Sequence, residues 1–221
     1  MYAPATERLH HAWHRRAECD YRFDFWTALG WTVLSFGFYS YYIAYQLTRR
    51  MKEHNIRRLQ LLEAANEQAW QRATEAGRGD QLTPAFTRVA AHLDVLRRMT
   101  TDFRDPAIWV VIVLLSSGIG LLVLYVLLDQ DLVKHAHAEA GAEAELAGIA
   151  RALGVAVPPD AALPAPVLKA PHNIAGRVVA VFASCGIYAY WWLFNLMDEG
   201  NRHFERDWAW EDEVVASLLA A

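Results

Sequence analysis

Three runs without a single charged side chain dominate the hydropathy pattern, from Phe25 to Thr48, from Pro106 to Leu128 and from Val178 to Met197. About 20 apolar residues in a helix span the hydrocarbon core of a bilayer. The pattern therefore predicts transmembrane helices over residues 25–48, 105–128 and 175–197. Between the first two, residues 49–104 read as a soluble helical hairpin. Leu59, Leu62, Asn66, Ala69 and Ala73 recur at steps of three and four, Gly77-Arg78-Gly79-Asp80 breaks the pattern, and Thr83-Pro84 opens a second helix carrying Phe86, Val89, Leu93 and Leu96 on one face. Residues 129–154 form an Ala/Glu-rich helix closed by Gly154, and 155–174 a stiff Pro/Ala linker. Residues 1–24, with Leu9, Trp13, Ala17 and Tyr21 every fourth position, predict an amphipathic helix at the headgroup level, and 198–221 an acidic amphipathic tail. The fold class expected is all-α: an integral membrane protein with three transmembrane helices, a long soluble hairpin and amphipathic ends.

The centres of the three runs are similar: Leu34-Ser35-Phe36-Gly37-Phe38-Tyr39, Leu115-Ser116-Ser117-Gly118-Ile119-Gly120 and Ala183-Ser184-Cys185-Gly186-Ile187-Tyr188. With Gly37 set on Gly186, Tyr39 falls on Tyr188, Tyr41 on Tyr190, Tyr42 on Trp191 and Tyr45 on Phe194. A shift of three residues then places Met51–Asn55 over Met197–Asn201. The middle copy keeps only its serine-glycine centre, as expected of an inverted neighbour. Gly37, Ser40 and Ala44, with Gly118, Gly186 and Ala189, are candidates for close helix packing. Tyr39, Tyr41, Tyr42, Tyr45, Tyr188, Tyr190, Trp191 and Trp192 are candidates for an aromatic interface.

Charge and composition narrow the function. A formal net charge of −4 argues against a nucleic-acid partner. Cys19 and Cys185, the only cysteines, give neither a disulfide framework nor a thiolate metal site. His10, His11 and His14 lack a carboxylate or cysteine at ligand spacing, and His135 and His137, two apart, do not share a helix face. No metal ligand or cofactor is expected. No HExxH, GxSxG, phosphate-loop or dinucleotide glycine pattern is present, so no catalytic residue is assigned. Of 21 Lys and Arg, 13 fall in the hairpin and tail, which places the N-terminus outside and the C-terminus in the cytoplasm of a bacterial inner membrane.

Gly37-Phe38-Tyr39-Ser40-Tyr41-Tyr42 with Arg49-Arg50-Met51, and Gly186-Ile187-Tyr188-Ala189-Tyr190-Trp191-Trp192 with Asp198-Glu199, resemble the membrane motif of the domain of unknown function 4234 family. The resemblance covers roughly residues 23–60 and 172–205, departs from the usual Thr at Ser35 and Ser184, and implies small prokaryotic membrane proteins without an assigned activity. The function expected is a non-catalytic membrane scaffold or accessory subunit. Its contacts would be lipid and either a protein partner or sister copies, engaged through Leu59, Leu62, Asn66, Trp208 and Trp210. The alternative is an oligomeric channel or small-solute transporter.

Overall fold

The computed structural model describes residues 3–157 and 172–220, so most of the Pro/Ala linker lies outside the described residues. The described chain is helical: α1 (Ala5–His14), α2 (Arg16–Cys19), α3 (Phe25–Leu34), α4 (Tyr39–Glu75), α5 (Gly79–Thr101), α6 (Pro106–Leu115), α7 (Ile119–Ala152), α8 (Ile174–Ala183), α9 (Ile187–Trp210), a π-turn (Glu211–Val215) and α10 (Ala216–Ala220).

Each apolar run is cut at its centre. Phe36, Ser117 and Cys185 have φ of 51°, 51° and 50°, and the glycines behind them, Gly37, Gly118 and Gly186, have φ of 91°, 92° and 91°. Two consecutive left-handed residues end a helix, and a glycine takes the second place without a Cβ penalty. The serine before them then starts the next helix. Ser35, Ser116 and Ser184 each accept a hydrogen bond through Oγ from the backbone N–H of Tyr39, Gly120 and Tyr188, at 2.8, 2.7 and 2.9 Å. Each short arm opens on a side-chain cap thirteen residues before its turn glycine, at Asp24, Asp105 and Asn173.

Consequently no helix among the described residues is long and apolar enough to cross a membrane. This corrects the three expected transmembrane helices, and with them the multi-pass inner-membrane placement and its orientation. Mean hydropathy sums side chains and is blind to a pair of left-handed residues. The close-packing role expected of Gly37, Gly118 and Gly186 also changes, because a Cβ built on any of them meets nothing within 4 Å. They are turn residues.

The three hairpins are copies at constant offsets, without insertion, and the middle one has the same turn as its neighbours. Six residues after the turn glycines stand Ile43, Leu124 and Trp192, each 0–1% exposed, and ten after them Leu47, Leu128 and Leu196, all in one hydrophobic cluster. Since equivalent positions meet at successive heights, α4, α7 and α9 run parallel and all three turns lie at one end. The arms return antiparallel to the long helices: Phe23, just before α3, exchanges hydrogen bonds with Asn201 of α9, and Asp105, capping α6, pairs with Lys52 of α4.

Beyond this cluster, α4 and α5 form a hairpin around Gly77 (φ 66°), with α5 starting at Gly79 and carrying Pro84 inside it instead of opening at Thr83-Pro84, and a second cluster joins them to α1, α7 and the tail. Helix α1 buries Leu9 and Ala12 there, and the tail inserts Trp210, Val214, Val215 and Leu218. The two chain ends cover one side of α4 instead of presenting their apolar faces outward.

Candidate metal centre

Seventeen residues after each turn glycine stands a histidine: His54 on α4, His135 on α7 and His203 on α9. Their rings form a near-equilateral triangle, with centroids 5.3 Å (His54–His135), 5.1 Å (His54–His203) and 5.7 Å (His135–His203) apart. All three are buried, none more than 8% exposed. One helical turn further on, the equivalent positions are Arg58, Glu139 and Asp207, so two carboxylates form a second layer beside the imidazoles.

The acceptor atoms converge. Glu139 Oε2 lies 3.5 Å from His135 Nε2 and 3.3 Å from His203 Nε2, while Asp207 Oδ2 lies 3.4 Å from His54 Nε2 and 3.3 Å from His203 Nε2. One ligand atom from each of His54, His135, Glu139 and His203 fits within 4.8 Å of the others. Ligands at about 2.0–2.2 Å from a tetrahedral zinc stand roughly 3.4 Å apart, so these separations suit atoms sharing an ion. The same five atoms, the three Nε2, Glu139 Oε2 and Asp207 Oδ2, are buried without a hydrogen-bond partner. Orphaned polar atoms rarely cluster in a core unless something joins them.

An outer layer fixes three of these groups, His54, Glu139 and Asp207. Asp20 Oδ1 is 2.9 Å from His54 Nδ1 and leaves Nε2 to face the centre, while Asp20 Oδ2 accepts from Arg57 at 2.7 Å and from Trp208 Nε1 at 2.6 Å. Arg58 donates to Glu139, to Glu143 and, at 2.9 Å, to Glu211, whose Oε1 also accepts from Arg57 at 2.7 Å. Arg206 holds Asp207 Oδ1 at 2.5 Å. Carboxylate–histidine pairs of the Asp20–His54 type orient metal ligands in known sites.

The electrostatics point the same way. Burial drives the imidazoles toward the neutral form, His54 well below its usual value, His135 down to about 4 and His203 to about 3. Burial alone would raise Glu139, but Arg58 and the histidines hold it well below the carboxylate range. Burial, reinforced by Glu139, pushes Asp207 up to about 6, and burial pushes Glu143 up to about 8 against the pull of Arg58. Asp20, Glu139, Glu143, Asp207 and Glu211 face Arg57, Arg58 and Arg206 across the hydrogen bonds and ion pairs of this network. With Glu143 protonated near neutral pH, the remaining four carboxylates face three guanidiniums, a net negative charge that favours a cation at the centre.

The residues singled out from the sequence are placed elsewhere. Of the partner-binding candidates, Leu62 is buried in the chain's own core and Leu59 packs against it, while Asn66 is half-buried with Oδ1 unpartnered. Trp208 bonds Asp20, and Trp210 lies under the Arg58 guanidinium, so the tail's tryptophans are engaged within the chain. Among the packing candidates, Ser40 donates to the Gly37 carbonyl at 2.6 Å, Ala44 is buried and Ala189 is half-buried. Among the aromatic candidates, Tyr42, Tyr190 and Trp191 are exposed, whereas Tyr39, Tyr41, Tyr45 and Tyr188 are half-buried. Trp192 is buried and donates to Asp129 at 2.7 Å. His10 and His14 meet at 2.9 Å on the exposed side of α1, and His137 points away from the centre. The sequence reading found none of the five ligand candidates, although its own repeat contained them. Carried on without the three-residue shift, the alignment of Gly37 with Gly186 sets His54 on His203, and the Gly118 copy adds His135.

No protein-family model matches the chain, and no curated protein or solved structure matches it.

Proposed function

We propose that this chain is a metal-binding protein, holding one divalent first-row transition ion through His54, His135, His203 and Glu139, with Asp207 beside two of the imidazoles. One observation carries the reading: four buried and orphaned ligand atoms, one each from His54, His135, Glu139 and His203, lie within 4.8 Å of one another on three parallel helices. Three imidazoles with carboxylates and no thiolate suit ions such as Zn²⁺ or Fe²⁺ and argue against Mg²⁺ and Ca²⁺, which prefer oxygen donors throughout. No ligand residue is more than 8% exposed, so the ion acts as the keystone that joins the three repeats, in a structural and not a catalytic role. Metal binding then contributes folding free energy directly.

The test is elemental analysis of the full-length, tag-free protein, followed by titration of chelator-treated protein with Zn²⁺. About one ion per chain is expected, with a higher unfolding temperature on reloading and loss of both in His203→Ala. Protein that takes up no Zn²⁺, or that His203→Ala leaves unchanged in metal content, would overturn the assignment.

A further inference from the structure

The turn end of the bundle has a chemistry the metal centre does not use. One residue after each turn glycine stands a large apolar side chain, Phe38, Ile119 and Ile187, exposed at 73%, 71% and 74%. Phe36, Leu115 and Phe182 beside them are also exposed. Because the three long helices run parallel, these side chains share one end of the molecule, with no charged side chain between each arm's cap and the collar described below, apart from Arg177 near the base. Contiguous apolar exposure of this kind marks an interaction site.

Three observations identify what covers it. The first is the backbone: the Ser35, Ser116 and Ser184 hydroxyls cap the N–H groups that open the long helices, and Gly37 and Gly186 donate to the carbonyls of Thr32 and Val181 at 2.7 and 2.8 Å. Internal satisfaction of a turn's donors is a requirement in hydrocarbon, where water cannot supply partners. The second is depth. The apolar zone ends at a polar collar where Asp105 meets Lys52 and Asp129 meets His172 and Arg177. The arm caps lie thirteen residues from the turn, about 20 Å at 1.5 Å per residue, which matches half of a 40–45 Å bilayer. The third is the aromatic level: Trp26, eleven residues before Gly37 and so close to the collar, is 73% exposed at a level where amphipathic rings favour a membrane interface.

We infer that the three turns form a lipid-docking face that enters one leaflet of a bilayer as far as the collar, with no segment crossing to the other side. The occupant is the acyl region of a lipid leaflet, and the inference stands on observations independent of the metal centre. Cys185 supplies a native probe, being an exposed cysteine at the tip of the third hairpin, while Cys19 is buried.

The experiment uses the full-length protein labelled at Cys185 with an environment-sensitive fluorophore and mixed with phosphatidylethanolamine/phosphatidylglycerol vesicles. The protein is expected to float with the vesicles, with a blue-shifted probe quenched by bromines on the acyl chains of the contacted leaflet. The triple variant Phe38→Asp/Ile119→Asp/Ile187→Asp changes only exposed positions. It is expected to keep its helicity and unfolding temperature but to partition at least tenfold more weakly, since aspartate is strongly disfavoured in hydrocarbon. Three outcomes would overturn the inference: wild-type protein left behind by the vesicles, a triple variant that floats as well as wild type, or a tip-dependent dimer that persists with vesicles present. The last assigns the face to a second copy of the chain.

Discussion

Arg58 and Glu139 occupy the same position in two copies of one repeat, and they form an ion pair in which both side chains are fully buried. Three identical helices around an axis would bring three like charges together. The first copy instead carries the cation, which also holds Glu143 and Glu211, while Glu139 and Asp207 in the other copies keep one oxygen each for the centre. Symmetry is retained where it supplies the imidazoles and is abandoned where it would cause repulsion.

Replacing Arg58 with Met should therefore be among the most damaging single changes in the chain. It leaves three buried carboxylates without their main cation, and breaking a buried pair from one side typically costs about 3–5 kcal/mol. Urea denaturation of metal-free protein is expected to show a loss of that size. Saturating Zn²⁺ is expected to recover part of it by neutralising Glu139. Equal losses with and without Zn²⁺ would mean that Arg58 and the ion do not share a field.

Asp20 touches no ligand atom directed at the centre, yet it fixes the ring of His54 through Nδ1. Asp20→Asn is expected to leave metal stoichiometry at one while weakening affinity by about 10- to 100-fold, the range typical of outer-layer partners. Competition against a chromophoric chelator measures this directly. His54→Ala, by contrast, is expected to reduce uptake much further, so the two variants separate positioning from ligation.

The pH dependence of metal uptake follows from the burial of the imidazoles. In the metal-free protein burial lowers His135 to about 4 and His203 to about 3, so near pH 5 these two rings are already neutral and ready to bind, and burial shifts His54 in the same direction. Asp207, at about 6 and within 3.4 Å of the His54 and His203 Nε2 atoms, is the neighbouring carboxyl that must lose a proton below that pH. Affinity is expected to be flat from pH 8 to 6 and then to fall about tenfold per pH unit toward pH 5, the slope for one displaced proton. An exposed three-histidine site would lose up to a thousandfold per unit below about pH 6.5, where all three rings protonate. A slope of three protons in that window would exclude the buried geometry.

Helix content and the break at Gly77 were legible because they depend on local signals, apolar spacing and glycine, whereas the start read at Thr83-Pro84 was misplaced: α5 begins at Gly79, Pro84 lies inside it, and the Thr83 hydroxyl donates to the Gly79 carbonyl. The turns at Phe36-Gly37, Ser117-Gly118 and Cys185-Gly186 were misread because the identical Ser-x-Gly signal has two physical meanings. It permits close helix packing if φ is negative and ends a helix if φ is positive, and side-chain hydropathy does not distinguish them. The repeat was visible at the aromatic residues but was lost beyond Met51, where similarity of residue type favoured a shifted alignment over a constant one. His54, His135 and His203 lie 81 and 68 residues apart, so only the repeat, and no local motif, could have brought them together. The tail illustrates the opposite limit. Trp208 and Trp210 were recognisable as buried-type residues, but whether they face a partner or their own chain is decided by Asp20 and Arg58, far away in sequence.

The distinction between turn glycine and packing glycine can be tested by putting alanine at each kind. Gly118 has φ of 92° and open space around a new Cβ, so Gly118→Ala should be destabilising through backbone strain alone, by about 1–2 kcal/mol. Gly200 on α9 lies in a helix with ordinary φ, but its added Cβ would come within 2.3 Å of Arg50 Nη2. That guanidinium is buried between the rings of Phe23 and Phe204 and donates to the Leu196 carbonyl at 2.7 Å and to Asn201 at 3.2 Å, so it has little freedom to move aside. Gly200→Ala should therefore cost about 1–3 kcal/mol as overpacking. Shortening the obstructing side chain should relieve part of it, so Arg50→Met and Gly200→Ala are expected to be less than additive, with a coupling of at least about 0.5 kcal/mol in urea denaturation. Gly118→Ala combined with Arg50→Met should be additive, because the strain at Gly118 is in its own backbone and the two sites share no partner. Additivity in both pairs would show that Gly200 is not what gives Arg50 its place against α9.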